Sequence, residues 1–256
     1  MRGYLSTEGI VLKVREYGES DGIIILFTPL QGKLPALVKG MRKPQSRLRS
    51  GTQQLCCSRF LLYQGRSWPR VIQCELITLY PRLRERAEFL PWALYLAALV
   101  EAALPPREPS PSLYFLLKES LRLLPLLDPE MLIRTFEAQT LKILGWEPCL
   151  DRCVLCRQPL PEGSRVSFVP SAGGVLCEGC LSTYTFQGAV YQVSPGSLKV
   201  WEQLEGSRWW RKLFRLQVGP NFRKELAQII PAFLEYYLGE KIAARDLIYK
   251  IGGLSE

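Results

Sequence analysis

Apolar and polar positions alternate in short bursts through the first eighty residues. Leu12 and Val14 interleave with Lys13 and Arg15, the two-residue period of a strand with one face buried. Residues 9–17, 23–28, 33–39, 54–63 and 71–79 are short runs rich in Val, Ile, Leu and aromatics. Turn residues separate them, among them Gly18-Glu19-Ser20-Asp21, Leu30-Gln31-Gly32 and Gln64-Gly65-Arg66-Ser67. Five such strands over about 80 residues predict a small closed barrel, for which the OB-fold is the simplest candidate; an SH3-like barrel has the same strand count.

From Leu83 the period lengthens. Residues 85–104 read as a helix with an Ala/Leu-rich face, Pro91 marking its first turn, and they end in the stiff connector Pro105-Pro106-Arg107-Glu108-Pro109. Residues 112–124 form another helix. A third has clear boundaries: Asp128 suits the N-cap, Pro129 the first helical position and Gly145 the C′ position, with Leu132, Phe136 and Ile143 on one face. Later, 195–204, 209–216, 222–238 and 245–249 also read as helical. There is no internal repeat and no low-complexity tract.

Between these helical stretches lies the most specific local signal. Cys153-x2-Cys156 and Cys177-x2-Cys180 are separated by 20 residues. Two C-x2-C turns can complete the tetrahedral shell that Zn²⁺ requires, leaving no open position, so one structural zinc is expected rather than water activation. Val166–Val169 and Val175-Leu176, joined through Ala172-Gly173-Gly174, read as a hairpin carrying the second turn, a zinc-ribbon arrangement. Two unrelated thiol pairs, or a C-x2-C redox pair, are the alternatives; nothing nearby resembles a thioredoxin-type βαβ unit. Cys149 could substitute as a ligand, though C-x3-C is the less usual knuckle. Cys56, Cys57 and Cys74 fall within predicted strands as small buried side chains.

Composition narrows the chemistry. Among 256 residues there is no histidine, which excludes Ser-His-Asp and Cys-His nucleophiles, His metal ligands and imidazole proton shuttles. No H-x-E accompanies the cysteines and no G-x-x-x-x-G-K-S/T loop is present, so a zinc deaminase or hydrolase and an ATPase are both unsupported. The expectation is a non-catalytic protein. The most apolar charge-free stretch, 89–100, contains Pro91 and is too short to span a membrane. An acid at Glu8 precedes any apolar run, unlike a secretory signal. A reducing cytoplasm follows, with eight cysteines present as free thiols or metal ligands.

The formal net charge of +9 is uneven. Residues 1–80 carry 12 basic and 5 acidic side chains, net +7; residues 81–150 carry 8 and 9, net −1; residues 151–256 carry 13 and 10, net +3. A basic first third implies a localised polyanion-binding surface. Lys39, Arg42, Lys43, Arg47 and Arg49 lie within eleven residues without an acid, on a loop marked by Gly40 and Pro44. Such a loop can track phosphates and gain affinity from released counterions. The bland alternative is a solvated charged loop. Arg66, Trp68 and Arg70 follow between the fourth and fifth strands, where an OB-fold places a ligand loop. There Trp68 could stack on a base or fold back onto the core. Glu19 and Asp21 on the other ligand loop should repel phosphate. Trp209-Trp210-Arg211-Lys212 is a further aromatic-basic cluster, whose spacing fits an ordinary helix packing one Trp.

Together these features resemble the RecO recombination-mediator family. The resemblance rests on Glu8-Gly9-Ile10-Val11-Leu12, Tyr17-Gly18-Glu19-Ser20-Asp21 and Phe27-Thr28 at the opening. It rests further on Lys39-Gly40, Arg42-Lys43 and Ser46-Arg47, on the four cysteines with Gly173-Gly174, and loosely on Tyr236-Tyr237-Leu238 with Lys241-Ile242. Arg157 follows Cys156 where many members of that family have glycine, a departure that touches the knuckle turn and not the ligand count. The resemblance implies an α+β protein: an OB-fold domain over 1–80, a helical domain over 81–150 and 191–256, and an inserted four-cysteine zinc module over 151–190. It implies binding of single- and double-stranded DNA, annealing of complementary strands, complex formation with RecR, and help for RecA in replacing single-strand-binding protein. The C-terminal tail of that binding protein docks on the family's helical domain, where Arg122 or Arg134 could receive it. A nucleoid-associated cytoplasmic location follows. An RNA-binding or transcription-associated zinc-ribbon protein is the alternative that composition leaves open.

Overall fold

The computed structural model describes residues 3–65, 67–160, 163, 165–183, 185–206 and 209–252. The chain divides into two compact units, Met1–Leu126 with Ile242–Glu256, and Leu127–Lys241.

The first unit is built on five strands. β1 (Gly3–Tyr17), β2 (Asp21–Thr28) and β3 (Gly32–Val38) form an antiparallel meander, and β4 (Cys57–Gln64) and β5 (Arg70–Thr78) form a hairpin. They close into a barrel in the order β1-β2-β3-β5-β4. One closure runs from Gly3 opposite Gln64 to Ile10 opposite Cys57; the other is the single parallel pair Leu37–Arg70. β1 can serve two neighbours because its register shifts between Val11 and Lys13, a bulge-like break that bends a strand across a barrel. Alternate residues turn inward, and Val11, Ile24, Leu26, Ala36, Phe60 and Leu62 form a core shielded from water. All five anticipated strands are present. β1 begins well before residue 9, because Ser6, Thr7 and Glu8 pair along β4 although their polarity hides the strand.

After the barrel come α1 (Pro81–Glu85), a 3₁₀ turn at Ala87–Phe89, α2 (Leu90–Ala103) and α3 (Pro111–Leu123). The helix anticipated over 85–104 is therefore shorter, with Pro91 in its first turn as expected. α2 buries Trp92, Tyr95, Leu96, Leu99 and Val100, a nearly all-round apolar surface that places it centrally in this unit. α3 is fastened to β1 where Glu8 accepts hydrogen bonds from the Tyr114 hydroxyl (2.7 Å) and Lys118 Nζ (2.5 Å).

In the second unit α4 (Pro129–Ile143) starts as the sequence demands: Asp128 accepts from the backbone N–H groups of Glu130 and Met131, and Gly145 takes a positive φ of 75° past the end. β6 (Val166–Val169) pairs with β7 (Gly174–Leu176), the anticipated hairpin, and also with β8 (Tyr191–Val193). α5 (Glu178–Thr183) lies between β7 and β8, and α6 (Pro195–Leu204), α7 (Trp209–Leu213) and α8 (Pro220–Leu238) follow. Phe168, Trp201 and Phe233 meet with ring centroids 5.4–5.9 Å apart, locking β6, α6 and α8 together. α9 (Ala244–Gly252) packs on α2 and belongs to the first unit. Among the described residues no helix is long and apolar enough to cross a membrane.

Candidate nucleic-acid interface and metal centre

The segment between β3 and β4 is a chain of turns. Lys43 N–H donates to Gly40 O, Ser46 N–H to Lys43 O and Arg49 N–H to Ser46 O, at 3.0–3.3 Å. Successive turns of this kind throw the long side chains outward while Leu48 is tucked against the barrel core. The β1–β2 turn anchors the segment: Gly40 N–H donates to Asp21 Oδ1 (2.8 Å), and Arg42 N–H to Ser20 O (2.9 Å). A concave surface of about 720 Å³ results, with Lys39, Lys43, Ser46 and Arg47 on its lining.

The five cations of the loop are not equivalent. Lys39 Nζ lies 2.8 Å from Asp21, a carboxylate with 18% of its side chain exposed. The Gly40 N–H and then Lys39 hold the Asp21 carboxyl below the usual carboxylate range. Asp21 is thus a loop anchor rather than a free repulsive charge. Arg42 pairs with Glu16 at 2.5 Å and donates to Glu19 O, but Glu16 is 77% exposed, so this pair is solvent-screened and exchangeable for another anion. Lys43, Arg47 and Arg49 are exposed, and among the described residues none forms an ion pair with an acid. The unbroken basic run of the sequence is, in space, three open cations beside two tethered ones.

Arg70 is exposed at the start of β5, opposite both Leu37 and Tyr63. Trp68 is 49% exposed and stands edge-on to Tyr17, centroids 6.3 Å apart at 67°. It is therefore not folded into the barrel core. Tyr17, itself 49% exposed, completes an aromatic pair that the sequence reading missed. Only strand register places the end of β1 beside the β4–β5 turn, so no local signal could have found it. Arg66 lies outside the described residues.

The remaining cations of the barrel are largely engaged. Lys13 pairs with Glu101 at 3.2 Å, Arg15 with the same carboxylate at 4.0 Å, and Arg59 with Glu75 at 3.4 Å. Among the described residues of the barrel, open positive charge thus concentrates at the β3–β4 loop and Arg70.

The four anticipated cysteines converge. The Sγ atoms of Cys153, Cys156, Cys177 and Cys180 all lie within 4.8 Å of one another. Cys156 and Cys177 Sγ are 3.7 Å apart, close to the ~3.8 Å edge of a tetrahedron with metal–sulfur bonds of about 2.3 Å. Each knuckle is a backbone turn: Arg157 N–H donates to Cys153 O (3.0 Å), and Leu181 N–H to Cys177 O (2.9 Å). A bond from Val154 N–H to Val175 O (2.9 Å) ties the two turns together. Val169 and Leu176 are buried beside Cys153.

Four thiols at this spacing cannot ionise together unaided. Burial would raise the Cys153 thiol, but backbone N–H groups, led by that of Cys177, pull it to about 6. Bonding to Cys177 and then burial push the Cys180 thiol up to about 12. A cation at the centre removes that conflict, so the donor set fits a soft divalent metal.

Cys149 is outside the cluster, its Sγ directed to Arg152 O (3.4 Å), so the C-x3-C alternative is set aside. Its backbone passes so close to Gly174 that no side chain fits there. Gly173, at a φ of 82°, makes the turn into β7. Cys56 and Cys57 are fully buried and Cys74 partly so, and burial raises all three thiols.

Arg134, offered above as a receptor for an acidic tail, cannot serve. It is 3% exposed and pairs inside α4 with Glu137, which is fully buried, at 2.8 Å. Position 134 faces inward on the same helical side as the core residues. Arg122 is exposed and pairs with Glu119 at 2.7 Å.

Comparison with known proteins agrees with this architecture. Residues 1–80 match the family model described as recombination protein O N terminal, and residues 85–246 the one described as recombination protein O C terminal. The chain is 45% identical over 253 residues to a DNA repair protein RecO of Moorella thermoacetica, covering 99% of this chain and 93% of that relative. A protein of the same name from Pelotomaculum thermopropionicum is 36% identical over 246 residues, covering 96% and 93%. One from Acetivibrio thermocellus is 31% identical over 247 residues, covering 96% of each.

Proposed function

Since the chain belongs to the RecO family of DNA repair proteins, we propose that it acts without catalysis, holding single- and double-stranded DNA on a basic OB-fold and annealing complementary strands. With RecR it would help load RecA onto DNA coated with single-strand-binding protein. The observation that carries this reading is the open charge of Lys43, Arg47 and Arg49, with Arg70 nearby, on a barrel whose other cations are mostly paired. The strand order β1-β2-β3-β5-β4 supports the OB-fold assignment.

Mechanistically, phosphates displace water and counterions from Lys43, Arg47, Arg49 and Arg70. Lys39 and Arg42 hold the loop in place and exchange their carboxylates for phosphate in part. Trp68, with Tyr17 beside it, offers a base a face to stack on. Neutralising phosphates lowers the repulsion that opposes strand pairing. Binding of this kind is sequence-independent and salt-sensitive.

The cysteine cluster, in this reading, holds one zinc in a ribbon module. Cys153, Cys156, Cys177 and Cys180 would supply the ligands, and the metal would cross-link the two knuckles. The division of labour follows the chain: 1–80 grip nucleic acid, 81–150 and 191–256 form the helical support, and 151–190 form the metal module. The tail of single-strand-binding protein would dock on the helical support; with Arg134 buried, Arg122 is the remaining candidate of the two. We place the protein in the cytoplasm, at the nucleoid.

The test is strand annealing of complementary oligonucleotides, bare and coated with single-strand-binding protein, without nucleotide cofactor. Acceleration of both, with RecR required for RecA loading on the coated strand, is expected. No acceleration of bare-strand annealing overturns the reading.

A further inference from the structure

The second unit carries a cationic turn that neither the barrel nor the metal module uses. Residues 209–224 include Arg211, Lys212, Arg215, Arg223 and Lys224 and no acid. Arg223 is engaged, its Nη1 lying 2.5 Å from Asp128 and 3.2 Å from Glu130. The next acid in the chain, Glu225, is turned inward: it accepts from Ser194 N–H (2.8 Å) and the Ser197 hydroxyl (2.6 Å), and Arg165 pairs with it at 2.6 Å. Arg211, Lys212, Arg215 and Lys224 are exposed, and among the described residues none is ion-paired with an acid.

Aromatic surface accompanies this charge. Trp210 is 38% exposed and Phe214 58% exposed. Arg215 and Leu216 N–H both donate to Lys212 O (2.9 and 2.8 Å), carrying the turn past the end of α7. Trp210 and Phe214 thus sit one helical turn apart, as do Arg211 and Arg215. Holding the Phe214 ring largely in water beside open cations is unfavourable unless the face meets a ligand that is flat, apolar in its planes and anionic along its edge. A single nucleic-acid strand has that character: bases stack on the rings while phosphates meet the arginines.

We propose that this turn is a second single-strand track, holding one strand while the barrel holds the other. The proposal rests on the DNA-binding reading above and deepens it. Two like-charged strands brought together for pairing each need their phosphates neutralised, and two separate cationic tracks on one chain meet that need.

Native mass spectrometry of the full chain with excess oligothymidylate of about a dozen nucleotides, near the size of a single strand-binding site, tests it. Two strands per chain are expected. Arg211→Glu with Arg215→Glu should reduce this to one, and Lys43→Ala with Arg47→Ala and Arg49→Ala should also leave one. Phe214→Ala should weaken the second strand alone. With the wild-type chain, photocrosslinking of 5-iodouracil oligonucleotides under the same excess should label peptides from both 39–70 and 209–216. A wild-type chain that carries one strand, a doubly reversed variant that carries two, or crosslinks confined to 39–70 would overturn the second track and leave the first intact. A wild-type chain that carries none sinks the DNA reading and this one with it.

Discussion

Arg157 shows how one residue records a constraint that its neighbours impose. It closes the first cysteine knuckle with a φ of 62°, a left-handed conformation that costs a non-glycine residue about 1 kcal/mol. Glycine adopts this conformation without that cost, and Arg157→Gly should stabilise the metal module by roughly 0.5–1 kcal/mol, read from thermal unfolding with metal bound. Two carboxyls make opposite pH predictions. Burial pulls the Glu8 carboxyl upward, but Lys118 and Tyr114 outweigh it and hold it below its ordinary value of 4.5. Its contribution is therefore present above that value and lost as pH falls through the lowered one. Glu8→Gln should flatten the acid limb of the stability curve. Burial, then the nearby charge of Glu147, raises Glu205 to about 7. Stability should fall between pH 4.5 and 7 as the unfolded chain ionises first. Glu205→Gln should abolish that fall and leave the protein more stable at pH 8, measured by denaturant titration at each pH. Neither behaviour was legible in the sequence, where Glu8 and Glu205 look alike; each depends on partners brought in by the fold.

Elements were legible where local chemistry decides them and obscure where tertiary context does. The cap at Asp128, the proline starts of α4 and α6 and the β6–β7 hairpin follow from turn and capping residues alone. α5 and β8 are short, and a few residues carry too little periodicity to read. The first half of β1 was hidden by its polar residues. The cysteine module is the element where metal and folding should be coupled most tightly. Chelation, or Cys177→Ser, should release one equivalent of metal, expose 151–190 to protease and lower the unfolding midpoint, while DNA affinity of the barrel changes little. Proteolysis unchanged after metal loss would contradict a structural role. In the β3–β4 loop, the sequence revealed five cations but not the two carboxylates that tether Lys39 and Arg42. Replacing Asp21 by Ala should therefore loosen the loop and weaken DNA binding, despite removing a negative charge from a phosphate-binding surface.

At the scale of the whole molecule, the formal charge of +9 misstates what a polyanion meets. Among the described residues, Lys13, Arg15, Lys39, Arg42 and Arg59 of the barrel are matched to carboxylates, and the open cations gather on one loop and one strand end. In the function proposed above, this residual charge is what binds nucleic-acid backbones. The dependence of single-strand affinity on salt tests it most directly. With about six phosphates contacted, log K should fall against log salt with a slope near −4, and replacing Lys43, Arg47 and Arg49 together by Ala should reduce that slope by about 2. A slope near zero, or a triple variant whose slope matches the wild-type chain, would rule out that role for the loop.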